Sequence, residues 1–153
     1  MVTALNVANN LLRRAFTDDI AVSPMKLQKL LYFTYKHYLQ STGGTPLFAE
    51  RFEVWKYGPV LPTVYSEFKH FGAKKIKDYS YSRDGRVWGA DESSSMFISS
   101  ALNFVWQKYK SYDGIELSSF THKEDTAWAL AYKASSLFLD DNNILNESWH
   151  PNE

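Results

Sequence analysis

Ser23-Pro24 narrows what this chain can fold into more than any other pair of residues. A serine oxygen caps the free amides of a helix, and a proline at the first helical position gives up no donor the helix needs. The run that follows, Met25-Lys26-Leu27-Gln28-Lys29-Leu30-Leu31-Tyr32-Phe33, predicts a helix reaching about Gln40. Leu27, Leu30, Leu31, Thr34, Tyr38 and Leu39 then line one side of it, with Lys26, Lys29 and Lys36 elsewhere. Gly43-Gly44 supplies a left-handed stop.

On either side of this helix the patterning changes. Leu5, Ala8, Leu12 and Ala15 recur on one face and predict a first helix over about Ala4 to Phe16, broken by Thr17-Asp18-Asp19. From Leu47 to Tyr57 the order is near alternation, Phe52 and Val54 against Arg51, Glu53 and Trp55, which predicts a short strand ended by Gly58-Pro59. Pro62 opens a helix with Val64, Tyr65, Phe68 and Phe71 as its apolar face, closed by Gly72. Residues 74–89 read as β structure, with Asp84-Gly85 as a hairpin turn.

A long amphipathic helix is expected after Asp91, burying Ile98, Ala101, Leu102, Val105, Trp106 and Tyr109, with Asp113-Gly114 ending that stretch. Thr121-x-x-Glu124 has the form of a capping box opening a helix that carries Trp128, Leu130, Ala131 and Ala134. After Leu139, Asp140-Asp141-Asn142-Asn143 has little helical preference, and Ser148 to Glu153 reads as a loose tail. The expectation is an α+β fold: a mainly α-helical single domain with a small antiparallel β-sheet over residues 1–139, then an acidic C-terminal tail over 140–153.

A chain of 153 residues buries roughly 70% of its unfolded surface, and 44% hydrophobic residues, including 10 Phe, 10 Tyr and 5 Trp, supply a core for one domain. With no cysteine there are no disulfides, thiolate nucleophiles or thiolate zinc sites, which fits a reducing cytoplasm. The N-terminus lacks a basic region leading into an apolar stretch, and no apolar run nears the ~20 residues that cross a bilayer. A cytoplasmic soluble protein with no membrane partner is expected. The formal net charge of zero hides an asymmetry. All 17 Lys and Arg precede residue 140, as do all but four (Asp140, Asp141, Glu147 and Glu153) of the 17 Asp and Glu, so residues 1–139 carry +4.

Candidate chemistry is sparse. Thr121-His122-Lys123-Glu124-Asp125 places an imidazole and two carboxylates within one turn, enough to raise a hydrolase using His122 and Glu124. A metal site needs a third convergent ligand, and His37, His70 and His150 have no ligand-like spacing to it, so no cofactor is expected. The simpler reading makes His122 a satisfied structural group. Trp55, Tyr57 and Gly58-Pro59 read either as a strand end packed into the core or as an aromatic platform for a ring or peptide. Lys69, Lys74, Lys75, Lys77, Arg83 and Arg86, interleaved with Tyr79, Tyr81 and Trp88, compose either a solvated face or a surface that steers an acidic partner. Nucleic acid is disfavoured, because +4 is small for that task and Gly43-Gly44 leads into a strand rather than a recognition helix. No P-loop, dinucleotide fingerprint or serine elbow is present.

Three blocks at their spacing carry a resemblance: Met25 to Tyr32, then Trp55-Lys56-Tyr57-Gly58-Pro59-Val60, then Leu117-Ser118-Ser119-Phe120-Thr121-His122, with Pro46-Leu47-Phe48 between the first two and Trp128 after the last. Together they resemble the Panacea domain, a family of antitoxins and adaptors from bacteria, prophages and mobile elements, over roughly residues 5–135. Val54 stands where the family commonly has alanine, and the apolar helical ending usual in the family has no match after Ser136. The resemblance implies no enzyme. It implies an antitoxin that neutralises a cognate protein toxin, encoded by an adjacent gene, by direct binding; the alternative is a proteolytic adaptor that delivers the toxin to a protease unfoldase. It also implies that Lys26, Leu27, Lys29, Leu30, Trp55, Tyr57, Gly58, Pro59, Thr121, His122 and Trp128 are scaffold. The partner surface is then expected at Lys74, Lys75, Lys77, Tyr79, Tyr81, Arg83 and Arg86, flanked by the acidic tail.

Overall fold

The computed structural model describes residues 2–149. Its centre is the helix announced by Ser23-Pro24. Ser23 Oγ accepts from Lys26 N and α2 runs Pro24–Ser41, with Gly43 at φ 71° and Gly44 at φ 118° just past its end. Every residue from Lys26 to Lys36 is buried, so the lysines read as lying off the apolar side are enclosed as well. The reason is position: α2 packs against helices on several sides and against a strand, and a helix surrounded in this way has no solvent face.

Around it stand α1 (Ala4–Asp18), α3 (Pro62–Phe68), α4 (Met96–Tyr109), α5 (Gly114–Thr121), α6 (Ala127–Lys133) and α7 (Asp141–Leu145). The helix α1 continues past Phe16 and stops at Asp19, whose left-handed φ of 53° is the break. The helix α4, capped by Ser95, buries Ile98, Ala101, Leu102, Val105, Trp106 and Tyr109 as its periodicity predicts, and Tyr109 stacks on Phe33 of α2 at 4.3 Å. Each large apolar side chain so enclosed contributes about 1.5–3 kcal/mol relative to exposure. Among the described residues no helix is long and apolar enough to cross a membrane.

The sheet is smaller than the alternation suggests. Only Glu53–Trp55 (β1) is strand, while Leu47, Phe48 and Phe52 are buried in irregular chain. Gly58-Pro59 does not end the sheet but returns it as β2 (Gly58–Val60), antiparallel, with Trp55 opposite Gly58 and a two-residue loop of Lys56 and Tyr57. The other edge of β1 is covered by residues 137–139, through Val54 N to Leu137 O and Leu139 N to Phe52 O. The small antiparallel sheet and the mainly helical α+β domain are therefore both present.

Residues 74–89 form no strand. A turn at Asp84-Gly85 exists, with Ser82 N donating to Arg86 O, but the arms pair with side chains instead of each other. Asn9 of α1 brackets Ser80, and Asn10 brackets Ala90, each through both its amide oxygen and its amide nitrogen. Buried asparagines satisfy the backbone groups that a ladder would otherwise use.

Two further boundaries move. Asp113-Gly114 opens a helix rather than ending one: Asp113 and Glu116 form a capping box at the start of α5. Thr121 is the last residue of α5, not the cap of the next helix, and Thr126 caps α6. Against the low helical preference read for Asp140 to Asn143, Asp141–Leu145 is helix, and the start of the expected loose ending is held on α2, Lys36 Nζ donating to Ser148 O and Trp149 Nε1 to Gln40 Oε1. Glu147 is buried against Lys36 Nζ (2.9 Å), Tyr32 Oη (2.8 Å) and Ala127 N (2.7 Å), and the Lys36 ammonium lies 3.9 Å from the Trp149 ring centre. His150 and Glu153 of the expected tail lie outside the described residues.

Candidate functional site

The sequence blocks meet at the β1–β2 loop. The chain reverses over Lys56 and Tyr57, and side chains from α2, α5 and its cap, and α6 take up the carbonyls of these two residues and of the strand residues Trp55 and Pro59. Trp128 Nε1 on α6 donates to Trp55 O at 2.8 Å. His122, capping the end of α5, faces Lys56 O through Nε2 at 2.9 Å and Ser118 O through Nδ1 at 2.6 Å. Ser118 Oγ donates to Tyr57 O at 2.5 Å, and Lys29 Nζ on α2 donates to Pro59 O at 3.1 Å. Gln28 then holds Leu61 from both sides, accepting from its N–H and donating to its carbonyl.

Gly58 makes the convergence possible. At φ +116° a Cβ on this residue would sit 2.6 Å from Thr121 Oγ1 and 3.1 Å from Lys29 Cε, so only glycine lets α5 and α2 close on the loop. Thr121 Oγ1 donates to Ser118 O and is buried.

Burial sets the electrostatics. Lys29 is 1% exposed and ion-pairs with no carboxylate among the described residues, so desolvation pushes its amine down to about 7. Lys26, whose Nζ donates to Lys110 O at 2.6 Å, is also lowered by burial, a shift opposed by Asp113 and Glu116.

Beside the pinned loop lies a groove of about 460 Å³ between the first turns of α2, the hairpin and α3. Met25, Leu27, Val60, Val64 and Phe68 make its apolar walls, with Trp55 and Tyr65 in edge contact at 5.0 Å. Tyr57 is more than half exposed and Trp55 is half-buried on the groove wall, so the core reading of this strand end does not hold for either ring.

The remaining residues read from the sequence fall as follows. Leu27 and Leu30 are fully buried. Lys74, Lys75, Lys77, Tyr81, Arg83 and Arg86 are exposed, Tyr79 is half-buried against Phe16, and Arg86 pairs with Asp84. This basic segment stands apart from the loop-binding residues but follows the groove edge at Gly72 directly in the chain. Glu124 is exposed in the turn after α5, while both ring nitrogens of His122 are occupied by carbonyls. Among the described residues no three His, Asp or Glu side chains group to hold a metal.

Sequence reasoning missed Ser118 and Gln28 as loop ligands, and it missed the groove. A signal existed for the enclosure of α2: Tyr32, Phe33 and Tyr35 lie outside its apolar stripe, which marks a helix with no polar face.

The Panacea-domain model of SocA-like antitoxins matches residues 27–129. Antitoxin SocA of Caulobacter vibrioides (strain NA1000 / CB15N) is 45% identical over 83 residues, a match covering 54% of this chain and 44% of that protein. The chain spans less than half the length of this relative. No solved structure matches. The matched span runs from the buried lysine helix to the residue after Trp128 and so encloses every group that grips the hairpin loop; the chain belongs to the Panacea-domain family of SocA-like antitoxins.

Proposed function

We propose that this protein neutralises a protein toxin by binding it directly, that an adjacent gene encodes the toxin, and that the contact surface includes Lys74, Lys75, Lys77, Tyr79, Tyr81, Arg83 and Arg86. One observation carries the reading: Lys29, Ser118, His122 and Trp128 of the family blocks are spent inside the fold on the carbonyls of one hairpin, whereas the 74–89 segment is anchored at Ser80 and, just past its end, at Ala90 and presents its cations outward. An inhibitor of this kind needs a rigid scaffold and a complementary exposed patch, not a reactive centre.

The test is co-expression with the neighbouring gene product, reading growth rescue and co-purification. Rescue with a stable complex is expected. Rescue that vanishes in a strain lacking the unfoldase protease makes the chain an adaptor instead. Reversing Lys74, Lys75 and Lys77 to Glu should slow association about tenfold at low salt, and an unchanged rate removes that patch from the interface.

A further inference from the structure

We propose that the groove between α2, the β1–β2 hairpin and α3 receives a large apolar side chain of the partner flanked by a carboxylate. Naming that partner as the toxin rests on the antitoxin reading above; the ligand chemistry is argued from the groove itself.

The volume falls within the roughly 300–1,000 Å³ of built ligand pockets, and the walls are aliphatic and aromatic. The charged residues lining it are of one sign. Lys29, Lys56 and Lys69 contribute, and none of the described residues lining the groove is an Asp or Glu. Glu53, two residues before Trp55 on β1, is taken up by the Trp55 indole at 2.9 Å. Lys29 is buried with its Nζ spent on Pro59 O, so the cations open to a ligand are Lys56 and Lys69; an apolar group entering alone would fill the walls and leave both uncompensated, whereas one that brings a carboxylate answers both features.

The rim is suited to an anchor. Tyr57 and Tyr65 are exposed, offering aromatic contact area at small entropic cost, and the loop beneath Tyr57 is held by four side chains. Rigidity there lowers the ordering cost of binding. Past Gly72 the chain continues into Lys74, Lys75 and Lys77, so further acids on the partner meet further cations.

The experiment has two arms on the full chain. In the first, acetyl-Asp-Trp-Leu-Asp-amide and its lysine counterpart acetyl-Lys-Trp-Leu-Lys-amide are titrated while backbone amide resonances are followed. Shifts at Met25, Tyr57, Val60 and Tyr65 with at least about tenfold preference for the acidic peptide are expected. Equal response to both peptides, or shifts elsewhere, overturns the proposal. In the second arm, Lys56→Glu with Lys69→Glu, both exposed, and separately Tyr65→Ala, are assayed against the neighbouring gene product, with circular dichroism confirming the fold. Weakened binding by folded variants supports the groove as the toxin's anchor site, and undiminished binding overturns it. A chain that holds the acidic peptide in the groove yet binds no toxin sinks the antitoxin reading and leaves the ligand chemistry standing.

Discussion

An alanine at position 58 would place its Cβ 2.6 Å from Thr121 Oγ1 in a backbone already at φ +116°. Gly58→Ala is therefore expected to cost about 2–4 kcal/mol, strain and overpacking together, measured by urea unfolding. Adding Thr121→Ala should recover part of it in a double-mutant cycle. Gly85→Ala, at φ +80° with open space around it, should show the backbone cost alone. Lys29 makes a pH prediction. Its folded value of about 7 lies below the ordinary 10.5, so between those limits the unfolded chain binds more protons and stability rises with pH. Below about 7 both states are protonated and the penalty is constant. The slope from this group is at most about 1.4 kcal/mol per pH unit, and Lys29→Met should remove it from urea midpoints taken between pH 7 and 9.5. Neither effect was legible at the residue itself. A lysine in sequence carries no mark of burial, and the second atom of the Gly58 contact lies 63 positions away.

At the scale of elements, the helices with strong local chemistry were the readable ones. Ser23-Pro24 caps α2 as its side chains dictate, and the six apolar residues of α4 repeat at the helical period because one face meets α2. Where two local signals compete, the pattern misled. Thr121-x-x-Glu124 and Thr126 both have cap chemistry within six residues, and tertiary contact decides between them: Thr121 is pulled under Gly58, leaving Thr126 to accept from Ala129 N and donate to Thr121 O and Lys123 O. Thr126→Ala should accordingly lower the thermal midpoint, at a cost of about 1–2 kcal/mol, while Glu124→Ala stays within about 0.5 kcal/mol. The 74–89 segment failed for a different reason. Its turn residues were right, but the hydrogen-bond partners of its arms are the amides of Asn9 and Asn10, about 70–80 residues earlier.

For the molecule as a whole, the decisive contact is the return of residues 140–149 onto α2. Glu147 joins Lys36, Tyr32 and the start of α6 in one buried cluster, so Glu147→Ala leaves an enclosed ammonium without its carboxylate and should cost about 3–5 kcal/mol by urea unfolding. Replacing both Lys36 and Glu147 by Met should recover part of that loss, since neither charge is then stranded while Tyr32 Oη and Ala127 N still lose this acceptor. The acidic composition of this stretch gave the opposite impression, because charge predicts exposure until a partner of opposite sign is buried with it. What the sequence by itself determined is therefore local and periodic: the Ser23-Pro24 cap, the apolar faces of α1, α2 and α4, the turn at Asp84-Gly85, and the spaced blocks that identify the family. Only the tertiary structure decided which of those residues meet. The enclosure of Lys29 and Lys36, the four side chains on one loop and the groove beside them each need groups tens of residues apart, and no local preference encodes a contact whose energy appears only after the chain has closed on itself.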